Sequence, residues 1–236
     1  MALTALLGGA VLAERTGDAP RVLALHGWGR TRADWGPVLQ GLAALAVDLP
    51  GFGASPPPPE PWGSRQYADL LAPLLADGGW TVLGHSFGGR VAVQLAAGWP
   101  AAVDRLVLTG VPLLRRTAGA KPPLAFRLAK RLHALGLVSD ERMEQERRKR
   151  GSSDYRAATG VMRDTLVRLV NEDYRDLLPG IEVPVELVWG AGDTAAPLDL
   201  AREAADLFPK ATLTVSETSG HLLDPALVAL LRERLV

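Results

Sequence analysis

Three residue types in one chain order can perform acyl transfer: a serine between glycines, an aspartate in a later loop, and a histidine near the end. Ser86 sits at the centre of Gly84-His85-Ser86-Phe87-Gly88-Gly89, Asp193 closes Gly190-Ala191-Gly192-Asp193, and His221 follows Ser219-Gly220. A serine hydroxyl is a weak nucleophile until a base takes its proton, and the imidazole that serves as base needs an acid to hold its orientation. The chain has no cysteine, which excludes disulfides, a thiolate nucleophile and thiolate metal sites; no metal centre is expected. Histidines stand only at positions 26, 85, 133 and 221, so few residues are available as the base. Asp48, in Asp48-Leu49-Pro50-Gly51-Phe52-Gly53, competes for the acid role, although fixing its own loop suits it better.

A tetrahedral intermediate carries a negative oxygen that needs donors waiting for it. His26-Gly27-Trp28-Gly29 brings two glycines that let backbone approach a ligand, so the Trp28 N–H can meet the Phe87 N–H at one oxygen atom. The Trp28 indole reads as a pocket wall and His26 as the residue that holds the loop. His85 adjoins the nucleophile, but side chains alternate along a strand, so it is expected to face the other way and to serve packing or orientation. His133 reads as incidental.

These groups must be carried by elements that end at one place. Short apolar runs recur at Arg21 to His26, Leu45 to Asp48, Trp80 to Gly84, Leu106 to Thr109, Val185 to Trp189 and Thr212 to Val215. Each ends in turn residues and reads as a buried strand. They alternate with helical stretches such as Tyr67 to Leu75 and Gly88 to Ala97, which implies right-handed crossovers and a largely parallel sheet covered on both faces. The class is α/β. In open sheets of this kind chemistry gathers beyond the carboxyl ends of the strands, and Trp28, Ser86, Asp193 and His221 each follow such an end.

The rhythm breaks between about Pro112 and Pro179, where helical patterns continue without a convincing strand. The division expected is a core of residues 1–111 and 180–236 and an inserted helical lid of residues 112–179. Residues 110–180 hold 15 Lys/Arg and 9 Asp/Glu, against 11 and 17 elsewhere, so a formal charge of zero conceals a basic insertion on an acidic body. Ser139 can cap a helix that opens on Asp140 and Glu141 and ends on Arg147, Arg148, Lys149 and Arg150, an order suited to the helix dipole. Solvated charge is the simpler reading of that cluster. Phe126, Leu132 and Leu135 are candidate apolar walls of the pocket, beside Trp28.

At 236 residues and 47% hydrophobic, the chain can fill a globular core. A zero net charge gives no general attraction to nucleic acid. The apolar opening from Met1 to Ala13 lacks a leading Lys or Arg and is interrupted by Gly8-Gly9, so a first hairpin is expected instead of a secretory leader. No apolar run reaches 18 residues. A cytoplasmic location is the expectation, with no membrane span and a small acyl molecule as partner. Pro56 to Pro59 reads as a stiff loop.

Taken together, His26-Gly-Trp-Gly29, Asp48-Leu-Pro-Gly-Phe-Gly53, Gly84-His-Ser-Phe-Gly-Gly89, Trp189-Gly-Ala-Gly-Asp193 and Gly220-His221 resemble the α/β-hydrolase superfamily, in particular its small lid-bearing esterase-like members. The order Ser86, Asp193, His221 is that of this architecture and opposes the order in the two large serine-protease folds. The resemblance implies an eight-stranded, mostly parallel sheet with an opening antiparallel hairpin. It implies Ser86 as nucleophile, His221 as base, Asp193 as orienting acid, and Trp28 and Phe87 amides as the oxyanion hole, with no cofactor. It leaves open carboxylesterase, lactonase, thioesterase, carbon-carbon bond hydrolase, cofactor-free peroxidase, acyltransferase and ligand-receptor roles. Dehalogenases and epoxide hydrolases resemble the pattern but place Asp where Ser86 stands.

Overall fold

The computed structural model describes residues 3–116, 131, 133, 139, 142, 145 and 152–235. Eight strands form one sheet: β1 (Leu3–Leu6), β2 (Val11–Thr16), β3 (Val22–Leu25), β4 (Ala44–Asp48), β5 (Trp80–His85), β6 (Val103–Thr109), β7 (Val185–Gly190) and β8 (Ala211–Ser216). Their order is β1-β2-β4-β3-β5-β6-β7-β8. The opening hairpin β1-β2 is antiparallel and β2 lies antiparallel to β4; every other pairing is parallel. This is the α/β-hydrolase fold that the motifs imply.

Alternation along the strands feeds two cores. Leu23, Leu25, Leu45, Val47, Val82, Leu106, Leu108 and Leu187 point to one face, while Ala24, Ala44, Ala46, Leu83, Val107 and Val188 point to the other. Both faces are buried, which is why the strands read as continuous apolar runs. The first face is covered by α2 (Ser64–Leu71), α3 (Phe87–Gly98) and α6 (Leu198–Leu207). The second is covered by the short α1 (Gly36–Leu39), with Trp35 before it, and by α7 (Pro225–Leu235).

Element ends differ from the sequence reading where capping and proline intervene. The helix expected from Tyr67 begins at Ser64, because the Gln66 side chain accepts the Gly63 N–H at 2.9 Å and starts the turn earlier. It ends at Leu71 and continues as a 3₁₀ turn through Leu75, since Pro73 has no N–H for an α-helical bond. Strand β6 begins at Val103, ahead of the expected Leu106, where polar Asp104 and Arg105 mask the apolar pattern.

Between β6 and β7 the described residues include α4 (Ser153–Ala157) and α5 (Gly160–Leu169) and no strand. The end of this stretch is bonded to the body of the fold. Thr165 Oγ accepts the Trp62 N–H at 3.1 Å, Glu172 Oε1 accepts the Ser64 N–H at 2.8 Å, and the Ser64 hydroxyl donates to the Tyr174 hydroxyl oxygen at 2.8 Å, the Tyr174 proton going to Glu172. Leu113, Leu114, Leu169, Tyr174 and Leu178 join the same apolar core as the sheet. Ser139 Oγ accepts the Arg142 N–H at 3.3 Å, the cap expected there. Asp140, Glu141 and the cluster Arg147 to Arg150 lie outside the described residues, as do Phe126, Leu132 and Leu135. Among the described residues, no helix is long and apolar enough to cross a membrane.

Candidate active site

The parallel strands end at one edge of the sheet, and four loops leave from it. Strand β5 runs to His85 and α3 starts at Phe87, so Ser86 alone makes the turn, at φ 49° and ψ −114°. A positive φ in a residue with a side chain is strained by about 1–3 kcal/mol and persists only where the surroundings enforce it. Here the Ser86 N–H donates to the Thr109 carbonyl at 3.0 Å, and the Gly88 N–H donates to the His26 carbonyl at 3.1 Å. The glycines follow from how closely helix meets strand. A Cβ at Gly84 would stand 2.5 Å from Gly89 Cα, and one at Gly88 would overlap the Leu25 carbonyl.

Asp193 and His221 are held by loops that are zipped together. The Ala191 N–H donates to Ser216 O and the Gly192 N–H to Ser219 O, both at 2.9 Å. The Trp189 indole N–H donates to Ala196 O at 2.7 Å, pinning the far side of the Asp193 loop. Ser219 Oγ donates to Asp224 Oδ1 at 2.9 Å, and the same oxygen accepts the Leu227 N–H at the start of α7, which fixes the turn carrying His221.

The resulting geometry joins three side chains that are far apart in sequence. His221 Nε2 lies 3.1 Å from Ser86 Oγ, and His221 Nδ1 lies 2.8 Å from Asp193 Oδ2. Asp193 is 4% exposed, and its other oxygen accepts N–H groups from Ala195 at 2.9 Å and Ala196 at 2.7 Å. Those two donors hold the carboxylate in one orientation. With Nδ1–H facing a carboxylate, Nε2 presents its lone pair to the serine hydroxyl, the arrangement a general base requires.

The two residues expected to supply the amide donors line the same cleft. Trp28 and Phe87 both line the cleft with Ser86 and His221, and among the described residues neither backbone N–H has a hydrogen-bond acceptor. Trp28 is packed edge-on against Phe52, with ring centroids 4.8 Å apart, and against Phe87 at 5.7 Å. Phe52 is a partner that the sequence reading passed over; its place inside the loop Asp48 to Gly53 was the available signal. The cleft has a volume of about 650 Å³ and is also lined by Arg90, Asp154, Leu166, Leu169 and Val170.

The remaining candidates separate cleanly. Asp48 is fully buried away from His221, where it accepts Arg32 Nη1 at 2.5 Å and the N–H groups of Arg32 and Ala54, each at 2.9 Å. It fixes its loop. His26 donates Nδ1–H to Gly27 O at 2.7 Å and accepts the Leu49 N–H on Nε2 at 3.0 Å, so its neutral form ties two loops; burial lowers its pKa. His133 is not among the described residues lining the cleft.

His85 is buried at the end of β5, 2% exposed. It lines the cleft beside Ser86, and its Nε2 lies 2.9 Å from the His221 carbonyl oxygen, so the ring donates a proton there. Burial, helped by the nearby His221, pushes the His85 pKa down to about 4, which keeps the ring neutral.

Comparisons with known proteins bear on the family and the fold. The profile of the alpha/beta hydrolase family matches residues 22–229. The chain is 31% identical over 236 residues to a pimeloyl-[acyl-carrier protein] methyl ester esterase of Aromatoleum aromaticum, an alignment covering 86% of this chain and 92% of that one. It is 46% identical over 110 residues to Esterase Rv0045c of Mycobacterium tuberculosis, covering 44% of this chain and 37% of that one. Among solved structures, a bromoperoxidase from Bacillus anthracis superposes with a TM-score of 0.73 at 20% identity, over 99% of this chain and 97% of that one; this likeness is one of fold.

Proposed function

This chain belongs to the alpha/beta hydrolase family, and we propose on that premise that it cleaves carboxylic esters of small acyl compounds, with Ser86 as nucleophile, His221 as base and Asp193 as orienting acid. The observation that carries the reading is the pair of contacts His221 makes, 3.1 Å to Ser86 Oγ and 2.8 Å to Asp193 Oδ2. The esterases among its relatives support the same substrate class.

In this reading Ser86 Oγ forms a bond to the ester carbonyl carbon as its proton passes to His221 Nε2. The carbonyl oxygen becomes an oxyanion and receives the Trp28 and Phe87 N–H groups. The carbon–oxygen bond to the alcohol then breaks, the alkoxide leaves with the proton from Nε2, and an acyl-Ser86 ester remains. Water completes the cycle by the same route, with His221 again taking a proton. Asp193 stabilises the imidazolium formed in each half without itself becoming protonated.

Residues 112–179 serve in this proposal as the lid of a core formed by residues 1–111 and 180–236. Ser152, Ser153, Leu166, Leu169 and Val170 of that segment line the cleft, a position from which it sets the acyl pocket and excludes water. The test is turnover of p-nitrophenyl acetate and butyrate by the wild-type chain and by Ser86→Ala. The proposal expects sustained turnover that vanishes in the variant. A single stoichiometric burst with no turnover would favour a receptor, and full activity in Ser86→Ala would overturn the assignment.

A further inference from the structure

Arg90 lies one helical turn after Ser86 on α3, a rise of about 6 Å, and the mechanism above does not use it. Its side chain lines the same cleft as Ser86, Trp28 and His221, yet the residue is only 7% exposed. A guanidinium carries five N–H donors and no acceptor. Among the described residues, the one acceptor it meets is the Leu169 carbonyl at the end of α5, and no carboxylate lies within ion-pairing distance. The Tyr174 ring centroid is 6.0 Å from the guanidinium carbon.

Glu172 contributes negative charge to the surroundings of Arg90 without forming an ion pair with it. Glu172 accepts the Ser64 N–H on Oε1 and the Tyr174 hydroxyl on Oε2. Burial lowers the Arg90 pKa, which marks a cation deprived of water; Tyr174 and Glu172 oppose that shift, and the Arg115 charge adds to it. The unused nitrogens are not sealed off, in contrast to Arg32 Nε and Arg234 Nε, which are buried without an acceptor. Arg90 as a whole keeps 7% of its surface, and it lines the cleft. A buried charge with no counter-ion in contact is costly to maintain, and a ligand that brings one into contact relieves the cost.

The other charged groups of the cleft do not compete for this task. Arg30 is held by Asp34 through bonds of 2.5 Å and 2.9 Å to its two oxygens, so its charge is compensated. Asp154 is exposed, and it would repel an anion from its own side of the cleft and leave the Arg90 side as the attractive one.

We propose that Arg90 is the counter-ion for a carboxylate carried by the substrate, which makes the preferred substrates hemiesters of short dicarboxylic acids. The ester carbonyl sits at Ser86 and the free carboxylate at the guanidinium fork, which offers parallel donors matched to a planar anion. This inference rests on the ester-cleaving reading of the site and adds to it a substrate class and a specificity residue.

The experiment compares kcat/KM for monomethyl glutarate and monomethyl adipate with their dimethyl esters at pH 8, counting per ester bond, with p-nitrophenyl butyrate as a neutral reference. The wild-type chain should favour the hemiesters. Measured within each variant, the hemiester-to-diester ratio should fall about 10- to 100-fold in Arg90→Met, the scale of a lost charge-assisted hydrogen bond, and recover in part in Arg90→Lys. Because the ratio is internal to each protein, loss of folded material cancels. A second readout needs no variant: glutarate and adipate should inhibit p-nitrophenyl butyrate turnover competitively, and the corresponding diamides should not. Turnover of p-nitrophenyl butyrate with no hemiester preference and no inhibition by the diacids overturns the Arg90 proposal and leaves the esterase reading standing. Absence of turnover on every ester overturns that reading and this inference with it.

Discussion

Replacing Asp193 by Asn tests the orienting role with almost no change in volume. The Asp193 Oδ1 position accepts two backbone N–H groups, from Ala195 and Ala196, while Oδ2 faces His221 Nδ1 at 2.8 Å. An Asn at this site must keep its oxygen toward the two N–H groups, since turning the amide would set a donor against two donors at about 1–3 kcal/mol for each bond lost. Its NH₂ therefore points at His221 Nδ1. That nitrogen must then accept, the ring proton moves to Nε2, and Nε2 can no longer take the proton of Ser86. The same substitution in a serine-protease triad lowers turnover about 10⁴-fold, equivalent to about 5.5 kcal/mol of lost transition-state stabilisation. The assay is kcat for p-nitrophenyl acetate beside a thermal melt, with an expected loss near that scale and a small change in Tm. Turnover within tenfold of wild type, in a folded variant, would refute the tautomer argument.

Two further outcomes follow from buried charges. His85 has a pKa near 4 in the folded chain and about 6.5 when unfolded, so between those values the unfolded state binds a proton that the folded state lacks. Stability therefore falls as pH drops through that window, by about 3 kcal/mol in total. Urea denaturation at pH 7 and pH 4.5 should show a shallower fall in His85→Asn; equal slopes would contradict the neutral, buried assignment. Asp48→Ala should lower stability by about 3 kcal/mol, by removing the Arg32 ion pair and the acceptor of the Arg32 and Ala54 N–H groups, while turnover per folded molecule falls less than tenfold. A loss on the scale expected for Asp193→Asn, with Tm unchanged, would instead make Asp48 the acid that acts on His221.

The strands were legible because both faces of the sheet are buried, leaving unbroken runs such as Leu23-Ala24-Leu25 and Leu106-Val107-Leu108 that end in glycine or polar turns. The three side chains around His221 could be proposed from local context, since each follows a strand end and strand ends converge in a parallel sheet. Contacts without a local pattern were not legible. Trp62 bonds to Thr165 and Ser64 to Glu172 across more than a hundred residues, and neither sequence neighbourhood signals its partner. Nothing local marks Arg90; its burial against Leu169 and Tyr174 depends on how α5 and the segment after it return across α3.

The central claim is that Ser86 is the acylated residue, and covalent labelling addresses it most directly. Treatment of the full chain with a fluorophosphonate, followed by digestion and mass spectrometry, should place one adduct per chain on the peptide containing Gly84-His85-Ser86-Phe87, with loss of esterase activity in step with labelling and no adduct in Ser86→Ala. An adduct on a different serine, or inactivation that proceeds equally in Ser86→Ala, would contradict the account.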